Sequence, residues 1–180
     1  MLVPAIAKKE ELEMLFAYHL YDDDMFLYNG FPYCNQIPDL QPAEQTYKWA
    51  IINNKNEIVG YFTYHIDTYS DTVNWFGLYS FKKDATIGID VYREIKKLVR
   101  HHRRIEWRMI GDNPVQKHYD RFIQHFGGQK VVLEEAVKDR NGIYHDDCIY
   151  EILCKRQEGR EEVKKLPHHR RTERLHIVSL

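Results

Sequence analysis

The chain has 180 residues, 43% hydrophobic and 29% charged, with 13 Tyr, 8 Phe and 3 Trp, a balance that excludes a disordered chain and suits one full-sized, aromatic-rich core. The net charge of −1 is unevenly spread: residues 155–180 hold 8 Lys/Arg against 4 Asp/Glu, leaving 18 against 23 before them. A mildly acidic body (1–154) with a charged, basic-leaning tail (155–180) is the economical division.

Met1 to Ala7 is a short apolar run suited to an edge strand. Lys8 to Leu20 then sets Leu12, Leu15, Phe16 and His19 on one face of an amphipathic helix. Tyr21 to Pro42 mixes breakers (Asp22-Asp23-Asp24, Asn29-Gly30, Pro32, Pro38, Pro42) with Met25, Phe26, Leu27, Tyr28, Phe31 and Tyr33, and reads as a long aromatic loop of the binding or lid kind. Tyr47 to Asn53, Ile58 to Asp67 and Thr72 to Phe81 are β-rich runs separated by turns at Asn54-Lys55-Asn56 and Tyr69-Ser70-Asp71, an antiparallel meander in which Ile58, Phe62, Tyr64 and Ile66 share a face. At Ile87 to His101 the period changes, with Ile87, Val91, Ile95, Leu98 and Val99 on one helical stripe.

Arg104 to Gly128 repeats strand, turn and helix. Ile105, Trp107 and Met109 alternate with Glu106 and Arg108, Gly111-Asp112-Asn113-Pro114 interrupts, and Val115, Tyr119, Phe122, Ile123 and Phe126 return at helical spacing. Asp112 or Asn113 can cap that helix, and Pro114 suits its first turn. Lys130 to Val137 and Ile143 to Leu153 are β-rich runs joined by Asp139-Arg140-Asn141-Gly142, a hairpin signal. The order is strand, helix, loop, three strands, helix, strand, helix, two strands.

This order, together with Gly88 after the fourth strand and Asn113-Pro114 after the fifth, resembles the GNAT superfamily of acetyl-coenzyme A dependent N-acetyltransferases over roughly Met1 to Leu153. The resemblance implies an α+β (α/β) fold: a mixed, mostly antiparallel sheet of about seven strands, flanked by helices and split between strands 4 and 5, here Thr72 to Phe81 and Arg104 to Gly111. It implies acetyl-coenzyme A as co-substrate, its pantetheine arm in the split against the backbone of Leu78, Tyr79 and Phe81. Its diphosphate would lie at the following loop and helix, near Lys82, Lys83, Thr86 and Gly88. The phosphate loop, often RGxGIG in the family, falls on Ala85-Thr86-Ile87-Gly88-Ile89-Asp90, where only Gly88 and Ile89 match and Asp90 sets a carboxylate near the expected anion. Asn113 and Pro114 match the second motif. Tyr119 stands one residue short of the family's usual proton donor, about 100° of helix rotation away, which leaves a core tyrosine as the competing reading.

The implied reaction is direct attack of an amine on the thioester, with Tyr119 as acid and Glu106 as base. Glu106 could equally be a partner of Arg108, two residues along on the same face, and His65 and Asp67 stand in reserve as bases. The acceptor, a small-molecule or peptide amine, would lie between Tyr21 to Pro42 and Gly142 to Leu153. A homodimer is allowed.

Other signals are weaker. Cys34, Cys148 and Cys154 have no CxxC spacing, which fits a reducing cytoplasm and not a disulfide framework or a cysteine zinc site. The paired histidines at 101–102 and 168–169 lack metal-ligand spacing, so no metal is expected. No apolar run reaches the roughly 18 residues a membrane span needs. Lys96, Lys97, Arg100, His101, His102, Arg103, Arg104 and Arg108, with the tail, form the alternative: a non-catalytic protein of the same fold that binds nucleic acid.

Overall fold

The β-rich runs of the sequence find one another edge to edge in a single seven-stranded sheet. In the computed structural model, which describes residues 1–22, 24–29 and 36–154, the strands are β1 (Leu2–Pro4), β2 (Thr46–Ile52), β3 (Ile58–Asp67), β4 (Thr72–Ser80), β5 (Arg104–Ile110), β6 (Gln129–Lys138) and β7 (Tyr144–Leu153). They lie in the order β1-β2-β3-β4-β5-β7-β6, antiparallel throughout except between β4 and β5, which run parallel. A 3-10 turn at Ala5–Lys8 ends the first strand at Pro4, and the α-helices are α1 (Lys9–His19), α2 (Asp24–Asn29), α3 (Ala85–His101) and α4 (Gln116–Phe126). The expected split sheet and element order are therefore present. The tail at 155–180 and residues 30–35 of the aromatic loop lie outside the described residues.

Three expectations change. The aromatic loop contains a helix, α2, because the residues from Asp24 to Asn29 make a turn of regular structure between its breakers. Helix α3 begins at Ala85, two residues earlier than its apolar stripe, because Asp84 caps it: its carboxylate accepts the Thr86 N–H at 2.8 Å. And Ile58 leaves the face shared by Phe62, Tyr64 and Ile66. Ile51 pairs with Gly60 and Ile52 with Ile58, so Val59 is an extra residue in β3 and the alternation changes phase there.

The turns are built by local side chains. Asn53 Oδ1 accepts the N–H groups of Lys55 and Glu57, both at 3.0 Å, and closes the β2–β3 hairpin. Asp67 does the same between β3 and β4, taking Tyr69 N–H, Ser70 N–H and the Ser70 hydroxyl, which hold its carboxyl below the usual range.

The two faces of the sheet are covered unequally. Helices α3 and α4 close one face over Ile105, Trp107, Met109, Cys148, Tyr150 and Ile152. On the other, α1 packs Leu12 and Phe16 onto Ala50, Ile52, Tyr61 and Tyr79, reaching β2 to β4. Beyond that, among the described residues, α2 lies beside the second face of β5.

After α4 the chain must turn sharply to start β6. Gly127 takes φ +74°, and the Gly128 N–H donates to Ile123 O at 2.7 Å. A Cβ on Gly128 would stand 2.4 Å from Glu151 O, backbone that cannot swing aside. Gly128→Ala is therefore expected to cost about 1–3 kcal/mol of stability in urea unfolding, by overpacking. A midpoint unchanged from the parent protein would mean that β6 and β7 are not seated this closely.

Candidate active site

Only the first rungs between β4 and β5 close: Thr72 pairs with Arg104 and Val73 with Ile105. That end is tied from outside the ladder as well, because the Asp71 carbonyl accepts the N–H groups of Arg103 (3.1 Å) and Arg104 (3.3 Å). Just beyond, Tyr64 on β3 faces two residues of β4, Trp75 and Phe76, and Trp75 takes φ +54°. Such a bulge bends its strand and sharpens the twist. β4 thus turns away, while β5 stays flat against β7 from Arg104↔Leu153 to Ile110↔Asp147. The split is the result.

Past the bulge, Phe81 N–H donates to Val59 O at 3.0 Å. Backbone polar groups alternate sides along a strand, so Tyr79, opposite Tyr61, also faces β3. Leu78 and Ser80 turn their N–H and C=O groups to the split. Of the three backbone positions expected to line it, only Leu78 does; Tyr79 and Phe81 spend their amides on β3, and Ser80 takes their place.

On the α2 side the split opens into a cavity of about 660 Å³, lined by Leu27 and Tyr28 of α2, by Asn74 to Phe76, by Glu106 to Ile110, and by Val137, Asp147 and Ile149. Gly77 admits the Tyr28 ring: a Cβ there would stand 3.0 Å from Tyr28 Cε2 and 2.9 Å from Thr63 Cγ2. Glu106 lines this cavity, on the face of β5 opposite to Ile105, Trp107 and Met109. Its carboxylate meets Arg104 at 2.9 Å, not Arg108. Arg108 reaches across to Asp147 through Nε (3.3 Å) and a terminal nitrogen. Two buried polar atoms of residues that line it have no hydrogen-bond partner among the described residues: Asn74 Oδ1, and the indole Nε1 of Trp107, whose ring lies in the covered core.

The remaining candidates fall elsewhere. Tyr119 is 8% exposed, its ring against Trp107, Phe122 and Tyr150, and burial pushes its phenol well above the ordinary value. It is a core ring and not part of the cavity wall. His65 lies with Nδ1 3.1 Å from Thr46 Oγ1 and its ring stacked on Trp75, while Asp67 is committed to its turn. Asn113 folds its side chain onto its own turn, accepting the Val115 N–H at 3.0 Å.

At the start of α3, Thr86 and Gly88 lie within the helix, and the Thr86 amide is already taken by Asp84. That bond is first among those that hold the Asp84 carboxyl below its usual range. Lys82 pairs with Glu57 at 2.8 Å, whereas Lys83 is exposed with no ion pair among the described residues. Gly88 is exposed, and a Cβ there would meet nothing within 4 Å, so its helix face is open to close approach. Asp90 does not face this surface: it is 8% exposed, against the Met1 amino group and Arg93 (3.6 Å). The carboxylate that competes with a phosphate is Asp84. The residues thus fit coenzyme A along the arm, through Leu78 and Ser80, and at Lys83 and Gly88. The Asp84 cap weakens the fit at the helix end.

Much of the basic patch is spent on acidic partners: Lys97 pairs with Glu94, Arg104 with Glu106 and Glu151, and Arg108 with Asp147, while the His102 ring is hydrogen-bonded to Asp71. No cluster of metal-ligating side chains occurs among the described residues, nor any helix long and apolar enough to cross a membrane. Ser80, Asn74, Trp75 and Asp147 were not legible as site residues. The cap at Asp84 had a signal, an Asp immediately before a helical run.

No protein-family model matches this sequence, and no curated protein sequence does. Solved structures do match it. A GNAT superfamily phosphinothricin acetyltransferase from Sinorhizobium meliloti, solved in complex with AcCoA, aligns over 88% of this chain and 94% of its own with a TM-score of 0.62 at 13% identity. An N-acetyltransferase from Staphylococcus aureus Mu50 aligns over 86% and 98% at 0.61 and 14% identity. The ribosomal-protein-S18-alanine N-acetyltransferase from Escherichia coli aligns over 81% and 90% at 0.57 and 11% identity. At these identities the likeness is one of fold.

Proposed function

On the premise of a GNAT acetyltransferase fold, we propose that this protein is an N-acetyltransferase that moves an acetyl group from acetyl-coenzyme A to an amine by direct attack. The observation that carries this reading is the split itself, with the Leu78 and Ser80 backbone turned into it and a carboxylate, Glu106, in the cavity at its mouth. Bound acetyl-coenzyme A would supply the acetyl thioester, whose carbon–sulfur bond breaks as the amine nitrogen bonds the acyl carbon; coenzyme A would leave as the thiolate and take up the proton that the acylated nitrogen sheds.

The chain's own contributions are positional and electrostatic. Leu78 and Ser80 hold the arm as a neighbouring strand would, and unpaired N–H groups in that position also stabilise negative charge developing on the acyl oxygen. Glu106 draws the surplus proton from an incoming ammonium through water, since only the free amine attacks. Lys83 and the open face at Gly88 receive the diphosphate.

Isothermal titration with coenzyme A tests the reading, and no detectable heat at millimolar ligand would end it. Asp84→Asn sharpens the test. Asn caps a helix about as well as Asp but carries no charge, so coenzyme A should bind roughly three- to tenfold tighter with the thermal midpoint unchanged. Equal affinity would show that the diphosphate lies away from the start of α3.

A further inference from the structure

We propose that the acceptor this cavity selects is an aralkylamine, a single primary ammonium carried on a flat aromatic body; the identity of the ligand as an amine rests on the acetyl-transfer reading above. The first support is charge. Arg104 stands between two carboxylates, Glu106 and Glu151, each at 2.9 Å, and Arg108 is balanced by Asp147. This group of side chains holds one carboxylate more than its cations, which favours a monocation and places it at Glu106.

The second is how the cation on the wall is held. Among the described residues Arg108 is the only basic residue lining the cavity, and Asp147 occupies both its Nε and a terminal nitrogen. A substrate carboxylate, as in an amino acid, would have to compete with Asp147 for Arg108 and would lose its hydration. A diamine fares little better, because its second ammonium finds Asp147 already paired.

The third is Trp75. A bulky residue at φ +54° is strained, and this one is also 77% exposed, so neither backbone preference nor core packing accounts for it. The bulge turns it to the cavity mouth, where His65 stacks on it at 5.3 Å and 30°. An aromatic ring presented in this way offers a flat apolar platform and an attractive face for a cation. Much of the remaining wall is apolar, with Phe76, Met109, Ile110 and Ile149.

Calorimetric titration of the full chain, without an acetyl donor, uses three probes: 2-phenylethylamine, phenylalanine and putrescine. The first is expected to bind at least about tenfold tighter than either of the others, since it alone offers a monocation with a flat apolar body. Trp75→Ala should weaken it about tenfold and Trp75→Phe should restore most of that loss, with far-UV circular dichroism unchanged in both. Equal or tighter binding of phenylalanine or putrescine overturns the proposal, as does binding of none of the three, or Trp75→Ala without effect. A protein that binds 2-phenylethylamine but not coenzyme A would keep this inference and sink the acetyl-transfer reading; the converse would do the opposite.

Discussion

Glu106→Gln should lower kcat for acetyl transfer by roughly 10²–10⁴-fold at neutral pH while leaving coenzyme A affinity and the thermal midpoint close to those of the parent protein. The size follows from the chemistry. An alkylamine is protonated near neutrality, so the attacking species must be made at the site, and Glu106 is the carboxylate in the cavity not locked to a lining arginine. Stability should hardly move, because the pair it forms with Arg104 is between partly exposed side chains, and such pairs contribute about 0–1 kcal/mol. Raising the pH towards the acceptor's own pKa should return part of the lost rate, since the free amine then arrives without help. A loss below about tenfold, or a loss that does not shrink with pH, would remove Glu106 as the base and turn attention to His65 beside Trp75.

Trp107→Ala should cost about 3–5 kcal/mol of folding stability, the range for deleting a buried aromatic ring. In a domain of this size that corresponds to a fall of roughly 6–20 °C in Tm by scanning calorimetry. The ring is the pivot of the covered face: it stacks on Tyr150 at 5.2 Å and 1°, meets Tyr119 at 5.5 Å and Phe76 at 5.8 Å, and so ties β5 to β7, α4 and the far side of the split. Trp107→Phe keeps most of those contacts and should lose much less. If the alanine variant unfolds within about 1 kcal/mol of the parent, the strands flanking the split are not held together by this stack, and the packing described for that face is wrong.

Much of the fold was legible because its signals are local. Ile105, Trp107 and Met109 alternating with Glu106 and Arg108 already place the carboxylate opposite the core, and that is where it lies. Asn53, Asp67 and Asp139 close their turns with their own side chains over a few residues, so their sequences announce them. Tyr119 shows the limit. Its spacing put it on a helical stripe, but whether a ring on that stripe meets the core or the split depends on how α4 rotates against β5, and the rings of Trp107 and Tyr150 decide that.

The pairing of acids and bases was not legible either. Arg108 has Glu106 two residues away on the same face, yet it bonds Asp147, which is 39 residues distant in the chain and lies beside it only because β7 inserts between β5 and β6. The bulge at Trp75 carries no glycine to mark it. It exists because β3 and β4 each keep their apolar faces inward while differing by one residue between Thr63↔Gly77 and His65↔Asn74, a mismatch neither strand shows alone.

By itself, then, the sequence determined the order of the strands and of the longer helices, the turns and the buried side of β5, since periodicity and side-chain-to-backbone bonds act over a few residues. Only the tertiary structure decided where β4 leaves β5, which amides open on the split, that Asp84 and not Asp90 stands at the start of α3, and which carboxylate in the cavity remains for a ligand. Those outcomes depend on strands brought together from distant parts of the chain, whose register, bulges and ion pairs form only when both partners are in place.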